Sequence, residues 1–223
     1  LNLSHRSKEE SLQTVKNIRD AEKEVGYPLS VLGDLAGPKI RIGTVEKEGR
    51  VEAGHRIKIS AKPVVGSQDC VSVNFPSIIK NLKVGAEIYL GDGLIHLQVE
   101  KILPEGVMTR VIVGGGLRSR MGFSAQGLVL NKFSLQAKDK EDIKIMIEAG
   151  ADALAVSFVQ TAKDIETVRA LLPKKNPPML IAKIETRAAV ENAYEIFDVA
   201  QAVMIARGDL GFSVPMAELP LIQ

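Results

Sequence analysis

Three short apolar runs, Ala153 to Phe158, Met179 to Lys183 and Ala202 to Ala206, recur at a spacing of roughly 25 residues, the length of one strand-plus-helix unit. They do not alternate apolar with polar, so they read as strands buried on both faces, as in a parallel sheet covered by helices. Helical patterns fill the gaps. Ala162 to Leu172 is one; Thr186 to Phe197 is another, with Thr186 as N-cap and Ala189, Val190, Ala193, Ile196 and Phe197 on one buried face. Upstream, Ala137 to Ala149 is a helix closed by Gly150. Ser7 caps a helix running to about Val25, with a capping box in Ser7 to Glu10, a buried stripe of Leu12, Val15, Ile18 and Ala21 or Val25, and Gly26 as its stop. Leu29 to Leu32 is the next strand, ending at Asp34, and Asn2 to Ser4 reads as the end of another. Repeated units of this kind favour a parallel barrel over an open sheet. No Gly-x-Gly-x-x-Gly follows any strand, which counts against a dinucleotide fold.

From Ile42 to about Arg120 helical periodicity vanishes. Short β-rich runs replace it between Gly, Pro and Asp turns: Arg56 to Ser60, Cys70 to Asn74, Glu87 to Leu90, Ile95 to Ile102 and Val107 to Val113. Their close spacing predicts a small antiparallel barrel or sandwich. Because the strand-and-helix texture resumes afterwards, it is an insertion, giving a first segment 1–42, an inserted β domain 43–120 and a second segment 121–223.

Each strand of the repeat discharges into charge at its C-terminal end, the rim on which parallel α/β proteins present chemistry. Met179 to Ala182 runs into Lys183 and Glu185, and Ala202 to Ala206 into Arg207 and Asp209. Lys183 and Glu185 are two apart, so on a strand both leave the same face. Two carboxylates on neighbouring loops suit a hard divalent ion that keeps waters for substrate oxygens to replace. A lysine beside them neutralises charge developing on a transferring phosphoryl group. The plainer alternative is a Lys-Glu ion pair closing a strand end. Farther upstream, the Ala36-Gly37-Pro38 turn delivers Lys39 and Arg41 to the rim.

Composition excludes several classes. A net charge of +2 over 223 residues makes no global case for nucleic acid or an anionic membrane. One cysteine, Cys70, rules out an internal disulfide and reads as an inert core thiol. No stretch has the apolar length to span a bilayer and no signal peptide is recognisable, so the expected compartment is cytoplasmic.

Several of these stretches occur as ordered motifs: NLSH at Asn2 to His5, GDLAGPKIR at Gly33 to Arg41, GDGLI at Gly91 to Ile95, AVSFV at Ala155 to Val159, AKIET from Ala182 and MIARGDLG from Met204. Together they resemble the pyruvate kinase family, over nearly the whole chain. The resemblance implies a partial (β/α)8 TIM barrel interrupted by a small all-β barrel, the mobile lid, in a chain that is a fragment lacking barrel elements before and after it. It implies phosphoryl transfer from phosphoenolpyruvate to ADP, giving pyruvate and ATP in the last step of glycolysis, by a homotetrameric parent that binds neither nucleic acid nor membrane. Lys183 then contacts the phosphate as a catalytic residue, with Arg41 beside it. Glu185 and Asp209 bind magnesium or manganese, and the backbone amides of Gly208 and Asp209 take the substrate carboxylate. Asn2, His5 and Arg41 contact nucleotide. Asn2, Ser4, Asp34 and the carbonyl of Leu35 match a monovalent-cation site.

Some positions depart from the family pattern. Lys39 stands where potassium-dependent members carry Glu, with Leu35 beside it as in a potassium-independent subgroup, so its ammonium is expected to replace potassium. Met121 to Gly127 stands where the family has Lys-Gly-Val-Asn-Leu-Pro-Gly; Arg6 replaces Gly, Gln160 replaces Arg and Ser213 replaces Glu. Two alternatives stay open: a pyruvate kinase-like binding or regulatory protein without turnover, and a magnesium-dependent enolate-type lyase or aldolase barrel, which needs the same charges. The fragment alone is expected to be inactive.

Overall fold

The computed structural model describes residues 1–126, 128 and 135–223, apart from the side chain of His5. It is mixed α/β, and its contacts divide it into two compact units: Leu1–Pro38 with the described residues of Phe133–Ala206, and the described residues of Lys39–Lys132 with Arg207–Gln223.

In chain order the elements begin with a 3-10 turn, Leu3–His5, then α1 (Lys8–Val25) and β1 (Leu32–Asp34). Eight short strands follow: β2 (Gly49–Val51), β3 (Arg56–Ser60), β4 (Cys70–Ser72), β5 (Glu87–Leu90), β6 (Ile95–Leu103), β7 (Gly106–Val113), β8 (Gly115–Leu117) and β9 (Phe123–Ala125). The strand-and-helix texture then returns with α2 (Ala137–Ala149), β10 (Ala153–Val156), α3 (Ala162–Arg169), β11 (Met179–Ile184), α4 (Arg187–Glu191), α5 (Ala193–Val199) and β12 (Ala202–Ile205). Two short helices close it, α6 (Arg207–Ser213) and α7 (Leu219–Ile222).

The first unit is built on a parallel sheet in the order β1-β10-β11-β12, curled as half a barrel. Asp34 lies opposite Ala155, Val156 opposite Ala182 and Lys183 opposite Met204, so the C-terminal ends of the strands share one edge. All four residues of β10 are buried, as the unbroken apolar run requires. Leu154, Leu180 and Ala182 on the sheet, Ile143 and Met146 on α2 and Ile165 and Val168 on α3 form its core.

Helix α1 has the expected capping box. Ser7 accepts from the Glu10 N–H, and the Glu10 side chain accepts from Ser7. Its buried stripe differs from the sequence reading. Ser11 and Val15 are buried, Leu12 and Ile18 half-buried, and Ala21 and Val25 exposed. Ser11 tolerates the core side because its hydroxyl donates to the Ser7 carbonyl at 2.9 Å. Asp152 joins three elements by accepting from the Val31 N–H at 2.6 Å and from Arg19 of α1 at 2.8 Å. Asn2 to Ser4 is a single bridge to Asp34 followed by the 3-10 turn rather than a strand, because the Asn2 side chain accepts from the Ser4 N–H and turns the chain. The helix expected over Thr186 to Phe197 is broken at Asn192, whose side-chain amide donates to the Gln160 carbonyl at 2.8 Å. Phe197 is consequently 45% exposed while Ile196 is buried.

The second unit holds a six-stranded sheet in the order β4-β3-β7-β6-β5-β9 and a separate β2-β8 pair. Its pairings are antiparallel except β3 with β4, which is parallel because the chain crosses over between Ser60 and Cys70. Here burial does alternate, with Ile88 and Leu90, Ile95, Leu97 and Val99 pointing inward. Cys70 is half-buried rather than in the core, and burial raises its thiol pKa. Gly91, Asp92 and Gly93 all have positive φ, which accounts for the Gly-Asp-Gly turn between β5 and β6. Among the described residues no helix is long and apolar enough to cross a membrane.

Candidate active site

Three neighbouring strands of the first unit deliver side chains to one point. Asp34 ends β1, Ser157 follows β10, Lys183 lies near the end of β11 and Glu185 comes just after it. The ammonium of Lys183 sits 2.8 Å from Glu185 Oε1, 3.1 Å from Asp34 Oδ1 and 3.0 Å from the Ser157 hydroxyl. Lys183 is only 9% exposed and Glu185 only 2%. Burial pulls the lysine towards neutrality, but the charge and hydrogen bond of Glu185 and the charge of Asp34 outweigh it, so its pKa is raised and it stays an ammonium.

The second oxygen of Glu185 accepts from the Phe158 N–H at 2.8 Å. That amide is aimed inward because Phe158 adopts a left-handed backbone, φ 57°, rare for a bulky residue and characteristic of sites where geometry is held under strain. Gly37 makes room for it. At φ 63° it has no side chain, and a Cβ there would come within 3.1 Å of both the Phe158 ring and Ser157. The Gly37 N–H in turn donates to Asp139 Oδ1 at 3.0 Å, inside the first turn of α2.

Asp34 Oδ1 meets the Lys183 ammonium as an ion pair at 3.1 Å and has no further hydrogen-bond partner among the described residues. Asn2 bridges to Asp34, and Ser4 follows in the 3-10 turn, so the Asn2, Ser4, Asp34 and Leu35 group lies on adjoining segments. Leu35 itself is buried and its N–H donates to the Ala155 carbonyl at 3.0 Å. Oxygen donors of this kind suit a hard monovalent cation or an ammonium. Glu185, a carboxylate with hard oxygens, suits a divalent ion. Among the described residues no three His, Cys, Asp or Glu side chains form a metal cluster.

The remaining candidates belong to the second unit or fall outside description. Gly208 and Asp209 occupy the first turn of α6. Arg41 donates to the Arg120 carbonyl at 2.8 Å. Its backbone is pinned by Asn74, whose side chain accepts from the Arg41 N–H at 2.9 Å and donates to the Lys39 carbonyl at 3.0 Å. The side chain of His5 and residue Gly127 of the altered 121–127 segment lie outside the described residues.

Comparison with known proteins decides the family. The family model described as "Pyruvate kinase, barrel domain" matches residues 1–223. This chain belongs to the pyruvate kinase family. The pyruvate kinase of Geobacillus stearothermophilus is 39% identical over all of this chain, which covers 39% of that protein. Human pyruvate kinase PKLR is 37% identical, with 41% of it covered, and the pyruvate kinase of Thermococcus litoralis is 35% identical, with 47% covered. The chain thus spans less than half the length of these curated pyruvate kinases.

Within the family frame, sequence reasoning singled out Lys183, Glu185 and Asp34 but passed over Ser157, Phe158, Asp139 and Asn74. Ser157 carried a usable signal, since it stands at a strand end inside the AVSFV motif. The inward amide of Phe158 carried none, because a left-handed phenylalanine is not encoded in composition or spacing.

Proposed function

We propose that this chain is the catalytic portion of a pyruvate kinase that transfers a phosphoryl group from phosphoenolpyruvate to ADP. The observation that carries the reading is the buried Lys183 ammonium held between Glu185, Asp34 and Ser157 where three parallel strands end. Such a cation is pre-oriented before substrate arrives, so it stabilises charge on a transferring phosphoryl group without reorganisation cost. Glu185 keeps Lys183 protonated, and the Phe158 N–H holds the other oxygen of Glu185 in place. Arg41 adds a fixed guanidinium on the nucleotide or phosphate side.

In this reading Glu185 and Asp209 hold magnesium or manganese, and Gly208 and Asp209 offer backbone amides to the substrate carboxylate. The divalent ion supplies Lewis-acid withdrawal of charge from phosphoryl and enolate oxygens. Asn2, His5 and Arg41 face nucleotide. Residues 1–42 and 121–223 form part of a (β/α)8 barrel, and 43–120 form the lid. The parent is a cytoplasmic homotetramer. Family membership favours this reading over a lyase or aldolase. Formation of pyruvate from phosphoenolpyruvate and ADP by the complete protein is the direct test, and a complete protein that binds both ligands yet makes no pyruvate would leave the non-catalytic, regulatory reading in its place.

Lys39 bears on the monovalent cation. Asn2, Ser4, Asp34 and the Leu35 carbonyl supply the oxygen donors of a monovalent-cation site. With Lys39 supplying the charge of that cation, turnover in buffer free of sodium and potassium is expected to match turnover with potassium added. Strong activation by potassium would show that the lysine does not replace the ion.

A further inference from the structure

The first turn of α2 reaches two segments of the first unit that carry candidate residues. Asp139, 1% exposed, accepts from the Gly37 N–H at 3.0 Å through one oxygen and from the Gln136 N–H at 2.9 Å through the other. It thereby ties the turn after β1 to the helix cap. The adjacent Lys138 points the other way. Its ammonium donates to the Leu3 carbonyl at 2.8 Å, across a long sequence separation, and is itself held by both carboxylate oxygens of Asp142, at 2.8 and 2.7 Å. Asp142 is 5% exposed, so the ammonium has a fixed anchor within its own helix rather than a mobile surface partner.

Leu3 is the first residue of the 3-10 turn Leu3–His5, the segment that presents Asn2, Ser4 and His5. Among the described side chains, that turn is capped by Asn2, bridged to Asp34 through the Asp34 N–H and the Leu1 carbonyl at 2.8 Å, and buried at Leu3. A three-residue 3-10 turn has poor internal hydrogen-bond geometry and does not hold itself in place. A charged donor on its first carbonyl, anchored to a helix whose neighbouring residue fixes the turn after β1, sets the distance between the two oxygen-bearing segments.

We infer that Lys138 is a positioning residue that holds the Asn2–His5 segment for nucleotide. The inference rests on the nucleotide-facing role proposed above for Asn2 and His5. Lys138 touches no substrate in it and acts only through the Leu3 carbonyl. Asp142 serves to orient Lys138, and Asp139 supplies the fixed wall against which the segment is spaced.

The test uses the complete protein and two readouts that do not need turnover: hydrogen exchange over Leu1–Arg6 and the ADP dissociation constant from calorimetry. Lys138→Met is expected to speed exchange in that segment about tenfold and to weaken ADP about tenfold, the effect of losing one charge-assisted restraint. Because that change strands Asp142, the double variant Lys138→Met with Asp142→Leu removes the buried charge as well. It is expected to recover thermal stability while exchange and ADP affinity stay impaired. If the double variant regains ADP affinity together with stability, or if exchange over Leu1–Arg6 is unchanged in both Lys138 variants, the positioning role is wrong. Absence of ADP binding in the wild type would instead refute the nucleotide assignment, and with it this inference. Absence of pyruvate formation with ADP binding intact would refute only the kinase reading.

Discussion

Lys183→Met in the complete protein is expected to lower kcat for pyruvate formation by about three orders of magnitude or more, with a much smaller change in the KM for ADP. The expectation follows from where the ammonium sits. It is buried and prepaid, held at 2.8 Å from Glu185 and 3.0 Å from Ser157, so its whole value is electrostatic and is realised when negative charge grows on the transferring group. Methionine keeps the length and volume of the side chain but removes the charge and the N–H donors, leaving Glu185, Asp34 and Ser157 without that partner, so folding is checked alongside turnover. A variant that keeps its circular dichroism and thermal transition but turns over within tenfold of wild type would remove Lys183 from the chemistry.

The second large effect is on stability. Glu185→Ala leaves an ammonium 9% exposed with Asp34 as its one counter-ion among the described residues and leaves the Phe158 N–H without its acceptor. Breaking a buried pair from one side costs about 3–5 kcal/mol, a large part of the total for a domain of ordinary stability. The pH dependence has a definite sign. In the wild type the Lys183 pKa is raised in the folded state, so the contribution of the pair is complete below the unfolded value of about 10.4 and is lost as pH rises through the folded value. In the variant the raising effect of Glu185 is lost while burial and Asp34 remain, so the folded pKa lies below that of the wild type and the lysine sheds its proton at lower pH. The stability gap between wild type and variant, measured by urea unfolding, is therefore widest near neutrality and narrows as the solution becomes strongly alkaline. A gap that is constant across that range would mean the cost comes from packing or from the stranded amide rather than from the ion pair.

Both expectations depend on an arrangement that was only partly readable from residue order. The apolar runs ending in Lys183 and Glu185 announced a parallel strand with charge at its tip, and the structure places β11 over Met179–Ile184 beside β10 and β12. Strands β3 and β5 and helix α2 fall where periodicity and turn residues put them, because each is bounded by Gly, Pro or a capping residue whose preference is local. The misses share another cause. Asn192 breaks a helix through a bond to the Gln160 carbonyl, and Ser11 displaces Leu12 from the buried stripe because the packing of α1 against α2 selects the face. Neither depends on neighbours in sequence.

Local chemistry, then, was enough to mark the repeat, the capped helices and the ionisable residues at strand tips, since periodicity, caps and turns act over a few residues and their energies are intrinsic to the chain. What required the folded chain was the company those residues keep. The raised pKa of Lys183, its ion pair with Asp34, the inward amide of Phe158 and the reach of Lys138 to the Leu3 carbonyl all arise between segments distant in sequence. Burial and Coulomb interactions depend on distance in space, and the strand register that sets those distances is decided only when the sheet assembles.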